Sequence, residues 1–329
     1  MCTALVLSQK QGETFFGRNM DLEYNFNQSV HIVPRGYECE NVVTGEKLNT
    51  KYAIIAMGTL MEGHPMLADG ANEKGLACAG LNFYGYACYE EKICKEKVNL
   101  APHDIILWIL ANFEKVEDVK EAIQNINIVN AAFNKNTPIA TLHWIVTDKS
   151  SKSIVIEKTR EGLKVFDNPV GVLTNSPTFD WHLTNLRQYM YLTPEQPQDT
   201  KWNKATLTPL GQGIGTAGMP GDFSTTARFI RAAFIKSHIP NSNNTTSTIS
   251  EFFHILSNVA MISGTVITPE GKMDITQYTS CIDLKAGIYY YSTYNSHRII
   301  AIDMNKENLN SSEIKSFPYL NELEIINQN

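Results

Sequence analysis

The chain is poor in most features that would assign its class at once. Among 329 residues there are 6 cysteines, Cys2, Cys39, Cys78, Cys88, Cys94 and Cys281, and no two form a C-x-x-C pair. Several sit in apolar, strand-like stretches such as LACAGL. This usage argues against a disulfide framework or a cysteine-rich zinc module and points to buried thiols in a reducing compartment. Long hydrophobic runs are also missing. The longest, Ile105 to Ala111, falls far short of the roughly 20 apolar residues of a membrane-spanning helix. The opening MCTALVLSQKQG has no basic flank and only the short apolar run Ala4 to Leu7, so no secretory leader is expected. Charge of one sign is scarce too. With 28 basic and 34 acidic residues the net charge is −6, without runs of either sign. A nucleic-acid partner, which needs a concentrated basic surface, is therefore not expected. The expectation is a cytoplasmic protein acting on a small molecule, with no membrane partner.

What is present is ordinary globular composition, 43% hydrophobic by count, enough for a large core. Short β-rich segments fill the first hundred residues: Thr3–Ser8, Glu13–Asn19, Val30–Pro34, Tyr52–Thr59 and Gly75–Asn82. Turn signals such as Lys10-Gln11-Gly12 and Asn72-Glu73-Lys74-Gly75 separate them. Pro102 reads as a first-turn residue before IILWILANF, an almost wholly apolar helix, and Val116, Val119 and Ile123 mark an amphipathic second one. Strands are expected again at Leu142–Thr147, Ser153–Glu157 and Leu163–Asp167, then helices at Phe179–Tyr191, Ala227–Ser237 and Ile249–Ile262. Thr248 and Glu251 suit a capping box for the last of these. Strands close the chain at Gln277–Asp283, Gly287–Thr293 and Arg298–Asp303, while Pro194–Pro220 reads as a long loop and Pro240–Ser247 as a polar linker. Such alternating blocks fit an α+β layered fold, antiparallel sheets with helices outside, in a single domain over residues 1–329.

Position 2 carries the sharpest chemical information. Removal of Met1 would leave Cys2 with a free α-amine. One residue would then hold a thiol, ordinarily with a pKa of ~8.5, and an amine of ~7.7–8 able to act as its base. The plain alternative is a small residue opening an edge strand. Arg18 shares strand parity with Phe16 and Met20, so it points toward an apolar interior, and a neighbouring cation favours a thiolate. Asp21 could hold the new amine; equally, Arg18 and Asp21 could form a structural ion pair. Asn175 ends the run GVLTN ahead of Ser176-Pro177, where an amide could donate into an oxyanion hole or serve as an Asx turn or cap. Asn82, ending GLACAGLN, carries the same ambiguity, and Arg228 could be a solvated helix charge.

Together these stretches, MCTALVL, GRNMDLEY, DGANEKGLACAGLNF, LTNSPTFDWHL, MPGDFSTTARFIRAAF and QYTSC in this order, resemble the choloylglycine hydrolase family over essentially the whole chain. That family holds bile salt hydrolases and penicillin V acylases. The resemblance implies a four-layer αββα sandwich, a homotetramer of bacterial, gut-associated origin, and a processed N-terminal cysteine that works through a thioester. It implies Cys2 as nucleophile and base, Arg18 and Asp21 as supporting charges, Asn175 and the backbone N–H of Asn82 as the oxyanion hole, and Arg228 as an organiser of the site. Asparagine at position 82, where many penicillin V acylases carry tyrosine, favours conjugated bile salts. The implied apolar steroid pocket draws on Met20, Met61, Ala68, Phe133, Thr137 and Leu142. The Gly211–Gly213 stretch leans toward glycine conjugates over taurine. A penicillin V acylase or related N-acyl amide hydrolase is the alternative within enzymes, and a non-catalytic binder of apolar ligands the alternative outside them.

Two further patterns are set aside. Gly213 to Gly218 spells G-x-G-x-x-G, but Met219-Pro220-Gly221 follows at once and blocks the helix that a dinucleotide fold requires. The eight histidines, His31, His64, His103, His143, His182, His238, His254 and His297, show no metal-ligand spacing, so neither metal nor cofactor is expected.

Overall fold

The computed structural model describes residues 1–9, 12–240, 242 and 244–329. Lys10 and Gln11 of the first expected turn, and Asn241 and Asn243 of the expected linker, lie outside the described residues. Two large antiparallel sheets stack face to face. The six-stranded sheet runs in the order Val172–Leu173, Cys2–Ser8, Thr14–Leu22, Ile275–Asp283, Ile288–Thr293, Ile300–Asp303. The eight-stranded sheet runs Gly162–Asp167, Ser153–Thr159, Leu142–Asp148, Leu76–Asn82, His64–Asn72, Ile54–Met61, Ser29–Val33, Lys315–Phe317. Helices α1 (Asp104–Asn112) and α2 (Val116–Ala122) cover the outer face of the eight-stranded sheet. Helices α4 (Thr225–His238) and α5 (Thr245–Ser257) cover the six-stranded one, and α3 (Phe179–Leu186) packs on α4. The four layers expected from the resemblance are therefore present.

Alternation along the strands explains why both faces of the larger sheet are dry. Ile55, Met57, Ala77, Ala79, Leu81, Ile145 and Val155 face the partner sheet, while Ile54, Ala56, Leu76, Cys78, Trp144, Val146 and Ile156 face α1 and α2. A strand buried on both sides reads as a continuous apolar run. Helix α1 is buried from Asp104 to Ala111, as its sequence requires.

Several local expectations are corrected. Pro102 lies before the N-cap, His103, and not inside the first turn of α1. The strand His64–Asn72 was not expected, because Pro65, Asp69 and Gly70 are all depleted in strands. The capping box of Thr248 and Glu251 is not formed. Helix α5 starts a turn earlier, where the Asn244 side chain accepts from the N–H groups of Thr246 and Ser247, and it ends at Ser257. Beyond α3 the chain tightens into a 3₁₀ turn at Arg187–Tyr189. Within Pro194–Pro220 there is a hairpin, Thr200–Trp202 with Ala205–Leu207, and the glycine pattern that spells a dinucleotide motif closes as one 3₁₀ turn, Ile214–Thr216.

Two irregularities re-aim backbone beside Cys2. Register shifts between Met57 and Gly58 opposite the strand His64–Asn72, leaving Ala68 as an extra residue. It shifts again between Thr276 and Tyr278 opposite Asp21 and Met20, leaving Gln277 extra. Bulges of this kind turn side chains and carbonyls out of the regular ladder. Gly17 lets the strands on either side of Arg18 come close: a Cβ there would stand 2.0 Å from the Ser280 carbonyl oxygen.

Candidate active site

Cys2 begins the strand Cys2–Ser8, directly across from Met20, and its side chain is only 3% exposed. Arg18 pairs with Ala4 in the same ladder, so its side chain lies on the diagonal from Cys2. Its Nη2 donates to Cys2 Sγ. The remaining donors of this fully buried guanidinium go to carbonyl oxygens: Nη1 to Ala68, at 3.2 Å, and to Gly80, and Nε to Asn19 at 3.3 Å. The bulge at Ala68 supplies one of these acceptors. Burial works to lower the pKa of Arg18, but Cys2, Tyr278, Asp69 and Asp21 outweigh it and raise it. The guanidinium is charged and faces sulfur.

The alternative of an Arg18–Asp21 ion pair is not realised; the cation that Asp21 approaches is Arg228. Asp21 turns to the other side of Cys2, where its Oδ1 accepts from Thr276 Oγ1 at 2.6 Å and its Oδ2 is 4.0 Å from Arg228 Nη1. Oδ2 is buried with no hydrogen-bond partner among the described residues. Burial raises the pKa of Asp21, opposed by the chain's amino group, by Arg228 and by the Thr276 hydrogen bond. Met1 extends the ladder beyond Cys2: its N donates to the Asp21 carbonyl at 2.6 Å, and the Asp21 N–H donates to the Met1 carbonyl at 2.9 Å. The Met1 ammonium also stands 3.2 Å from Asp274 Oδ2. The Cys2 N–H therefore donates elsewhere than to Asp21, to Asn175 Oδ1, at 2.8 Å.

Asn175 is held at every polar atom. Its N–H donates to Thr225 Oγ1 at 2.9 Å, and its carbonyl oxygen lies 2.9 Å from His182 Nε2. Its Oδ1 also accepts from Arg228 Nη2 at 2.8 Å, and its Nδ2 donates to the Asn82 carbonyl at 2.7 Å. One N–H of that amide is left for another acceptor. His182 is kept neutral, its pKa pushed down to about 4 chiefly by burial. Asn175 does not cap α3; Thr178 occupies that position.

Arg228 overturns the reading of a solvated helix charge. It is fully buried at the start of α4, with Nη1 donating to the Cys2 carbonyl and to Thr3 Oγ1 at 2.7 Å, and Nε donating to the Phe223 carbonyl at 3.1 Å. Asn82 ends its strand with an exposed side chain whose Oδ1 accepts from Thr141 at 2.8 Å. Thus sulfur, backbone nitrogen and backbone carbonyl of Cys2 are each gripped by a different buried group. The arrangement can support a charged sulfur on one side and take up an amine on the other.

Of the expected pocket residues, Met20 packs beside Cys2, Ala68 sits over Arg18, and Leu142 pairs across the ladder with Asn82. The other three are placed by their own neighbours. Met61 ends the hairpin opposite His64, Phe133 packs on the rings of His64 and His103, and Thr137 closes a turn on Asn134. The histidines that look scattered in sequence are thus not all apart, since His64 and His103 meet at Asp104. Sequence reasoning also missed Asp69, a fully buried carboxylate behind Arg18. It accepts from Tyr278 Oη at 2.6 Å, Tyr289 Oη at 2.7 Å and Ser280 Oγ at 3.1 Å. The alternation of Tyr278 and Ser280 along QYTSC is the signal that could have revealed a polar inward face.

Comparison with known proteins identifies the family. A profile described as linear amide C–N hydrolases, choloylglycine hydrolase family, matches residues 2–317. A bile salt hydrolase/transferase of Clostridium perfringens (strain 13 / Type A) is 51% identical over 325 residues, covering 99% of each chain. The crystal structure of the C2A mutant of the conjugated bile acid hydrolase from Clostridium perfringens superposes with a TM-score of 0.95 at 50% identity, covering 100% of both chains. Penicillin V acylase from Agrobacterium tumefaciens is a more distant structural relative, with a TM-score of 0.77 at 25% identity, covering 96% of this chain and 90% of that one. The chain belongs to the choloylglycine hydrolase family, enzymes that hydrolyse linear amide C–N bonds.

Proposed function

We propose that the chain, after loss of Met1, hydrolyses the amide bond joining a bile acid to glycine or taurine. The observation that carries the reading is the double grip on Cys2: Arg18 on its sulfur and Asn175 on its nitrogen, both groups buried. In the processed chain that nitrogen is an α-amine. It takes the thiol proton while sulfur bonds to the amide carbon, and the oxyanion formed accepts from the free N–H of Asn175 and from the backbone N–H of Asn82. Collapse breaks the C–N bond, the α-ammonium returns its proton to the leaving amine, and a thioester remains. Water, deprotonated by the same amine, then releases the bile acid and restores the thiol. Asp21 Oδ2, which lacks a partner beside Met1, is the acceptor that would hold the new ammonium. Loss of the Met1 ammonium and gain of the Cys2 one leaves the local charge unchanged. Met20, Ala68 and Leu142 contribute to an apolar wall for the steroid body. The same reading takes the working form as a cytoplasmic homotetramer.

Cys2→Ala should abolish turnover of glycocholate while leaving the circular dichroism spectrum and melting temperature near those of the parent. Normal turnover by that variant would end the proposal, as would mass spectrometry finding Met1 still attached in fully active protein. The likeness to the Agrobacterium enzyme favours a second reading, penicillin V acylase activity. Rates measured side by side on glycocholate and penicillin V separate the two, and a clear penicillin preference would reverse the choice of substrate.

A further inference from the structure

Outside the Cys2 site, three polar side chains converge without satisfying one another. His64 opens the strand His64–Asn72, His103 is the N-cap of α1, and Asp104 is its first residue. They are 4%, 7% and 0% exposed. One ligating atom from each lies within 4.8 Å of the other two: His64 Nε2 is 2.7 Å and His103 Nε2 3.7 Å from Asp104 Oδ1. The Phe133 ring lies against both imidazoles, at centroid distances of 5.3 and 6.0 Å.

A buried ion pair explains only part of this. His64 Nε2 and Asp104 Oδ1 share one hydrogen bond of 2.7 Å. That bond satisfies one contact. It leaves His103 Nε2 and Asp104 Oδ2 buried and without a partner among the described residues. Two imidazole nitrogens and a carboxylate form the donor set of a transition-metal ion. Neighbouring corners of a tetrahedral or octahedral shell with bonds of about 2.1 Å lie about 3–3.4 Å apart, and the two observed separations bracket that span. We propose that His64, His103 and Asp104 form a binding site for a divalent transition-metal ion of the zinc class. Access comes through a cavity of about 430 Å³ lined by Cys39, Glu62, His64 and Phe133, whose acidic mouth favours a cation. The ion ties the start of α1 to the hairpin that ends at Met61 and His64, and through Phe133 to the segment that follows. The site is independent of the proposed reaction.

The test is metal binding by the full chain. Protein stripped with a chelator, loaded with zinc sulfate and passed through gel filtration should retain about one zinc per chain and melt at a higher temperature. Cobalt(II) in place of zinc should give a visible ligand-field band. His103→Asn, which removes a nitrogen without a hydrogen-bond partner among the described residues, should weaken zinc binding by more than the about 10–100-fold that loss of an outer partner costs. The Cys2→Ala variant should bind as well as the parent. Retention of no zinc by the parent overturns the proposal. So does zinc that survives His103→Asn or that is lost with Cys2→Ala. If His103→Asn does not fold, parent stoichiometry and the cobalt spectrum still decide.

Discussion

Two buried carboxylates flank the arginines of the site, one in the middle of the sandwich and one at the end where the chain starts, and they are treated differently. Asp69, in the middle, is closed: three hydroxyls donate to its two oxygens, and burial raises its pKa against the opposing pull of Arg18 and those hydroxyls. Asp21, at the end, is open: Thr276 occupies one oxygen, and the other, 4.0 Å from Arg228 Nη1, has no hydrogen-bond partner among the described residues. A carboxylate with both oxygens already engaged chiefly holds its neighbours in place. One with capacity left can accept a donor that arrives later. Asp69 therefore reads as the support that keeps Arg18 charged and aimed, while Asp21 has the free capacity that the proposed α-ammonium of Cys2 would use.

Three substitutions would break or sharpen that contrast. The largest effect is expected from Asp69→Ala, which strands three buried hydroxyls and removes a counter-charge of Arg18. It should cost about 3–5 kcal/mol in urea unfolding, and a loss below about 1 kcal/mol would show that Asp69 supports little. Asp21→Asn should do the opposite, leaving stability level or slightly higher while lowering kcat on glycocholate by about 10²-fold, or about 2.7 kcal/mol. Equal losses of stability in the two variants would erase the distinction. Smallest is Tyr289→Phe, which removes one donor from the closed cluster: about 1–2 kcal/mol of stability, with kcat close to the parent's.

The parts legible in the sequence are those where one physical signal dominates. Apolar runs such as LACAGL and IILWILANF announced strands and a helix buried on all sides, and the motifs carried the layer order and the residues around Cys2. What escaped depended on partners distant in the chain. Asp69 sits in a strand whose proline, aspartate and glycine speak against a strand, and only pairing on both sides makes it one. Arg228 looked like a surface charge because nothing local says that α4 lays it against the Cys2 carbonyl. Thr248 and Glu251 had the spacing of a capping box, yet Asn244 caps α5 one turn earlier. The Arg18–Asp21 pairing failed for a geometric reason, since the two side chains go to opposite flanks of Cys2.

Met1 is joined to Asp21 by two main-chain hydrogen bonds, and the bond that follows it runs into a residue 3% exposed. An aminopeptidase must draw its substrate's first residues, extended and free, into its own cleft, and a finished sheet does not release them. On the proposed reading, trimming and folding are in a race that trimming would have to win before this sheet closes. A batch produced faster than it is trimmed would hold molecules that are correctly folded, permanently capped and silent.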